Sequence, residues 1–277
     1  MRKFKIGLQL YSIREEMERD MDAALKQVKE IGYDCVEFAG YFGHSAEEVR
    51  AMLDKYGLEC VSVHQDPMLF IEEGQKAVDY IKTLGAKYCA IPWYTADKLA
   101  GSSNWDSTVK LFVEVGKLLK DNGIQQLYHN HDFEFNKFEG KFLLDWNYET
   151  IPAEYLQPQI DTCWVHYAGY DPSEYLMKYA GRIKVVHLKD FVCEKLGNGP
   201  VYALIGKDGT EEKKATPEEN GFDFRPVGYG IQDFPQIIDA ADKAGAEILI
   251  VEQDRSTQHP PMEAAKISRE YLKSLGL

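Results

Sequence analysis

The 277-residue sequence contains no pair of cysteines spaced C-x-x-C. Its five cysteines, Cys35, Cys60, Cys89, Cys163 and Cys193, form an odd, scattered set. That excludes a disulfide framework and a thiolate zinc knuckle, and it is what reduced, core-filling thiols of a cytoplasmic protein look like. No window approaches the ~18 apolar residues of a membrane span. Met1-Arg2-Lys3 leads only into the short mixed run Phe4 to Leu10, which is not the apolar core of a signal peptide. Positive charge is in deficit: 32 Lys and Arg against 45 Asp and Glu leave a formal net charge of −13. Nucleic acid and anionic membrane are thereby excluded as main partners, and a neutral small molecule is favoured. The first apolar run continues into Gln9-Leu10-Tyr11-Ser12 without a G-x-G-x-x-G, and no P-loop occurs, so neither a dinucleotide nor a phosphate cradle is indicated.

What is present is regular. Eight short apolar runs (Phe4 to Leu10, Tyr33 to Phe38, Glu59 to His64, Lys87 to Pro92, Ile124 to His131, Pro158 to Asp161, Ile183 to Lys189 and Glu247 to Glu252) recur along the chain. Between them lie amphipathic segments such as Met21 to Ile31, Ala46 to Tyr56, Ser107 to Asn122 and Ile231 to Ala244. Several end in lysine then glycine, at Gly32, Gly57, Gly85 and Gly245, which suits both the helix dipole and a left-handed cap. Eight βα units in one chain of this length predict a single (β/α)8 TIM barrel over residues 1–277. An open doubly wound sheet is the alternative. The link Phe142 to Leu156 is a helix interrupted by Pro152. The irregular stretch Phe191 to Gly230, rich in turn signals, is expected to form an excursion over the barrel mouth, with a strand at Val201 to Ile205.

A barrel gathers its chemistry at the carboxyl ends of its strands. The last four runs end in His129 and His131, Asp161, His187 and Glu252. Strand side chains alternate, so His129 and His131 point the same way, about 6 to 7 Å apart. Taken singly, each acidic or imidazole group reads first as a cap on the following helix. Four on consecutive strands, about 4.8 Å apart, can meet on one cation. The earlier strand ends offer Gln9, Glu37, His64 and Trp93 as substrate contacts, with rim capping and core packing as their ordinary roles. Lys189 lies on the face of His187, and Lys189-Asp190 reads as an ion pair able to orient that histidine.

The motifs Gln159-Ile160-Asp161-Thr162-Cys163-Trp164, Ala168-Gly169-Tyr170-Asp171-Pro172, Val186-His187-Leu188-Lys189-Asp190, Pro226-Val227-Gly228 and Val251-Glu252-Gln253-Asp254 occur in an order that resembles the xylose isomerase-like TIM-barrel superfamily. The similar branch is the sugar isomerase/epimerase one, with tagatose 3-epimerase-like enzymes, inosose dehydratases and 3-keto-glycoside lyases. The resemblance implies a divalent metal, Mn²⁺ first with Co²⁺, Fe²⁺ or Zn²⁺ as alternatives, held by Asp161, His187, Glu252 and a fourth ligand. Relatives have Glu-Asn-His where this chain has His129-Asn130-His131, so His129 stands in the place of a carboxylate. Two carboxylates instead of three around a dication raise the formal charge to zero and sharpen its Lewis acidity. His131 is implied as the base, with Glu252 and Lys189 as further catalytic groups. Tyr229 replaces an acidic residue common in relatives.

The expected activity is isomerisation or epimerisation of an unphosphorylated keto-sugar or polyol. A lyase, dehydrating an inosose or cleaving a 3-keto-glycoside, is the alternative, and a non-catalytic carbohydrate-binding relative is the alternative of another class. The expected partner is a sugar or cyclitol, with self-association left open.

Overall fold

The structure, a computed structural model, describes residues 4–197 and 221–277. Its centre is a closed, all-parallel, eight-stranded barrel. The strands are β1 (Lys5–Gln9), β2 (Cys35–Phe38), β3 (Glu59–His64), β4 (Tyr88–Ile91), β5 (Gln125–His129), β6 (Gln157–Asp161), β7 (Val185–Leu188) and β8 (Ile248–Val251). Each pairs with its neighbour in sequence, and β8 closes on β1 with Lys5 opposite Ile248 and Leu8 opposite Val251. The TIM barrel read from the sequence is therefore the fold. Among the described residues no helix is long and apolar enough to cross a membrane.

Period-two alternation explains why the strands face as they do. Cys35, Ala90, Leu127, Val185, Ile248 and Ile250 fill the barrel lumen, while Val36, Tyr128, Val186, Leu249 and Val251 face the helical layer. Two residues beyond the lumen-filling set, the same face of the same strands presents Glu37, His129, His187 and Glu252. The site is thus the continuation of the core stripe after apolar residues stop. The lumen is packed tightly enough that a Cβ on Gly7 would fall 2.4 Å from Ile250 Cδ1.

Helix boundaries follow local chemistry. Ala46–Tyr56 starts in a capping box, with Glu48 N–H donating to Ser45 Oγ (3.2 Å) and Ser45 N–H to Glu48 Oε2 (2.8 Å). The lysine-glycine ends are left-handed caps at Gly32, Gly57, Gly85 and Gly245. The segment expected from Phe142 to Leu156 is helical only over Leu143–Thr150, because Ile151 before Pro152 is extended (φ −94°, ψ 128°). Beyond β7, Asp190–Val192 pairs antiparallel with Asp223–Arg225 as a small two-stranded ribbon. The strand expected at Val201 to Ile205 lies outside the described residues.

Candidate metal centre at the barrel mouth

The ends of β5 to β8 bring His129, Asp161, His187 and Glu252 together, with one ligand-type atom from each lying within 4.8 Å of the others. All four are buried. His187 Nδ1 lies 2.8 Å from Glu252 Oε2. His129 Nε2 lies 3.6 Å from Asp161 Oδ2 and 3.9 Å from Glu252 Oε2. These two gaps are too long for hydrogen bonds. They are close to the roughly 3.4 Å that separates ligands placed about 2.1 Å from a shared tetrahedral ion. Mixed nitrogen and oxygen donors converging from four strand ends fit a divalent cation of the Mn²⁺ to Zn²⁺ series.

Asp161 serves two ends at once. Its Oδ1 caps the helix Thr162–Tyr167 by accepting from Cys163 N–H (2.8 Å), and its Oδ2 faces the site. The capping and ligand readings of this residue are therefore not alternatives. Asn130 ties β5 to β6: its Oδ1 accepts from Asp161 N–H (2.9 Å) and its Nδ2 donates to Asp161 O (3.3 Å). Asn130 carries no signal that would mark this role in advance, since it lies between the two histidines and points away from both.

Lys189 is 1% exposed, and its ammonium lies 2.9 Å from Asp161 Oδ2, 3.0 Å from Glu252 Oε2 and 3.0 Å from Asp254 Oδ1. The ion pair read from Lys189-Asp190 does not form. Successive residues of an extended chain face opposite ways, and Asp190 turns outward to accept backbone N–H groups of Phe191, Gly228, Gly230 and Gln232. Gly230 is required there, because a Cβ would sit 2.2 Å from Asp190 Oδ1. Tyr229 between those glycines is 61% exposed and does not reach the cavity.

The carboxylate that orients His187 is Glu37, whose Oε1 lies 2.7 Å from His187 Nε2. Glu37 and Gln9 are fully buried beneath the mouth and do not line its cavity. His64 and Trp93 do line it. The cavity, about 450 Å³, has a polar floor of His64, His129, His131, Lys189 and Glu252. Tyr11, Pro92 and Trp93 form an apolar side, with Tyr11 and Trp93 near two-fifths exposed. Volume and lining suit a small polyhydroxylated molecule with one apolar face.

His131 follows β5 by two residues and is held by its backbone N–H donating to Glu134 Oε2 (2.9 Å). Its ring lies 5.2 Å from that of His129 and stacks on Phe133 at 5.8 Å, centroid to centroid. Burial, reinforced by Lys189, holds His131 well below the ordinary histidine range. Burial and the neighbouring imidazoles do the same to His129. Both are therefore neutral. Burial also works against the charged form of His187, but Glu37 and Glu252 outweigh it and push His187 up to about 10. Glu252, despite burial, is held ionised by Lys189 and His187, while burial raises Asp161 to about 6. Burial lifts Glu134, which also accepts from Tyr128 Oη (2.9 Å), to about 8.

The fold is thus an eight-stranded TIM barrel with a nitrogen and carboxylate cluster on its last four strand ends. The chain belongs to the xylose isomerase-like TIM barrel family, whose model matches residues 25–275. It is 26% identical to an inosose dehydratase from Geobacillus kaustophilus over 283 residues, covering 92% of this chain and 87% of the relative. Among solved structures it superposes on a sugar phosphate isomerase/epimerase from Parabacteroides distasonis with a TM-score of 0.76, at 21% identity, over 99% of this chain and 95% of the other. It also superposes on the IOLI protein with a bound zinc atom, with a TM-score of 0.70 at 16% identity, over 98% and 97% of the two chains.

Proposed function

We propose that this chain is a divalent-metal-dependent lyase that removes a proton beside the carbonyl of an unphosphorylated keto-cyclitol or keto-sugar and expels the oxygen substituent one carbon further on. The observation that carries this reading is that His131 lines the same cavity as His129 and Glu252, two members of the four-residue cluster. The bound metal, held by His129, Asp161, His187 and Glu252, would supply Lewis acidity toward the substrate carbonyl. Dehydratase names among the relatives and the zinc of a structural neighbour support the same assignment.

In the step itself, His131 accepts the proton from the carbon next to the carbonyl. The electron pair of that C–H bond becomes the new C=C bond as the β C–O bond breaks, and the departing oxygen leaves as water or an alcohol after taking a proton. Lys189, which lines the same cavity and holds its ammonium beside Asp161, Glu252 and Asp254, would stabilise the departing oxygen and donate to it. Glu252, within the ligand set and held ionised by Lys189, is not a carboxylic acid ready to return a proton to the opposite face. That favours elimination over epimerisation.

Incubation with inososes, 3-keto-glucosides and simple ketoses in the presence of Mn²⁺ tests the reading. Elimination yields an enone absorbing in the ultraviolet. Solvent deuterium entering a ketose with an epimer as product and no enone would overturn the lyase in favour of an isomerase. No turnover and no exchange with any of them would favour a binding protein.

A further inference from the structure

Glu37 meets four side-chain nitrogens, yet it lies beneath the cavity and does not line it. Its Oε1 faces Gln9 Nε2 (2.7 Å), His187 Nε2 (2.7 Å) and His64 Nε2 (2.9 Å), and its Oε2 accepts from Gln159 Nε2 (2.6 Å). A carboxylate is acceptor-only, so the polarity of everything around it is fixed. Gln159, having given its Nε2, turns its Oε1 to His64 Nε2 at 2.8 Å. Gln9 likewise accepts with its Oε1 from Tyr11 N–H (3.0 Å). His64 Nε2 therefore faces two acceptors, and His187 Nε2 faces one. Both nitrogens must carry hydrogen.

We infer that Glu37 is a positioning residue that fixes His187 and His64 as Nε2–H donors, so that His187 turns Nδ1 to the metal-ligand set and His64 turns Nδ1 to the cavity as an acceptor for a substrate hydroxyl. His187 Nδ1 does face Glu252 within the ligand cluster. His64 lines the cavity, and its Nδ1 has no hydrogen-bond partner among the described residues and is not sealed from solvent. A sugar hydroxyl arriving there is met by a lone pair and not by an N–H. The half of the inference that concerns His187 rests on the metal reading above, and the half that concerns His64 does not.

Nitrogen-15 NMR of histidine-labelled protein near pH 8, above the ordinary histidine range, reads the tautomers directly. The expected result is an Nε2–H signal for His64 in the metal-free chain, and an Nε2–H signal with Nδ1 ligated for His187 in the zinc-loaded chain. An Nδ1–H tautomer at His64, or zinc on Nε2 of His187, would overturn the inference. Calorimetric titration with zinc of wild type and Glu37→Gln adds a second readout. An amide cannot accept on both sides, so the variant should bind zinc roughly 10- to 100-fold more weakly. Equal affinity in the two proteins, with the variant folded by circular dichroism, would refute the positioning role. Absence of zinc binding in wild type would instead refute the metal centre, while the His64 tautomer would still decide the rest.

Discussion

Two buried carboxylate clusters in this barrel differ in whether their hydrogen-bond accounting closes. Asp145, on the helix Leu143–Thr150, accepts from Tyr175 Oη at 2.6 Å and Tyr179 Oη at 2.5 Å, and pairs with Lys178 Nζ at 2.5 Å. Donors match acceptors there, and the cluster ties neighbouring helices of the outer layer together. At the mouth, Asp161 and Glu252 share Lys189, and His129 faces both at distances that no proton bridges. Burying a charge without closing its network is costly. The proposed metal would complete the open arrangement on these four consecutive strand ends. Burial of carboxylates alone does not mark a site; an imidazole held beside two of them without a hydrogen bond to either is what points to one.

The largest expected effect separates chemistry from binding at the open cluster. His131→Ala should lower the rate of proton removal from substrate by about 10²- to 10⁴-fold, the range for loss of a general base, with bound metal unchanged. Deuterium exchange and metal analysis on one preparation check it, and an unaltered exchange rate would show that another group is the base.

Next, the two clusters should respond in opposite ways to the same chemical change. Asp145→Asn removes a charge from a closed network and should cost about 1–3 kcal/mol of stability in denaturant unfolding, with kcat unaffected. Asp161→Asn keeps the helix cap, since asparagine caps as well as aspartate. In metal-free protein it should cost less than about 1 kcal/mol, while metal affinity falls by more than about tenfold. Equal destabilisation at the two positions would erase the distinction drawn between them.

A smaller effect concerns Glu134, which sits between Tyr128 and the backbone of His131. Its carboxyl is raised to about 8 by burial, so the folded chain holds this proton more tightly than the unfolded chain. The stability that this contributes is present at acid pH and is lost as pH rises from the ordinary glutamate range through about 8. Glu134→Gln removes the titration, so melting temperatures compared from pH 5 to 8 should shift progressively in favour of the variant. A constant difference across that window would show that Glu134 ionises normally.

The barrel was legible because period-two apolar runs and lysine-glycine helix ends are local signals, and β3 matches its expected bounds residue for residue. His129, His187 and Glu252 were legible for the same reason, each being the next inward position after an apolar lumen residue, whereas Asp161 follows the polar Gln159 and was read from its place at the strand end. What could not be read was the direction of contacts that cross the barrel. Glu37 and His187 are 150 residues apart in the chain, and nothing local to either says that they share a hydrogen bond. The same holds for Gln159, which joins Glu37 to His64, and for Asp254, which joins Lys189 from the strand end beyond Glu252. Lys189-Asp190 was misleading because adjacency in sequence suggests a pair, whereas extended backbone sends the two side chains to opposite sides.

The open cluster is proposed to be completed by one divalent ion. Protein purified without chelator and analysed for metals beside His187→Ala tests it most directly. About one equivalent of a transition metal per chain in wild type, and its loss in the variant, is the result predicted; equal metal content in the two proteins would contradict the assignment.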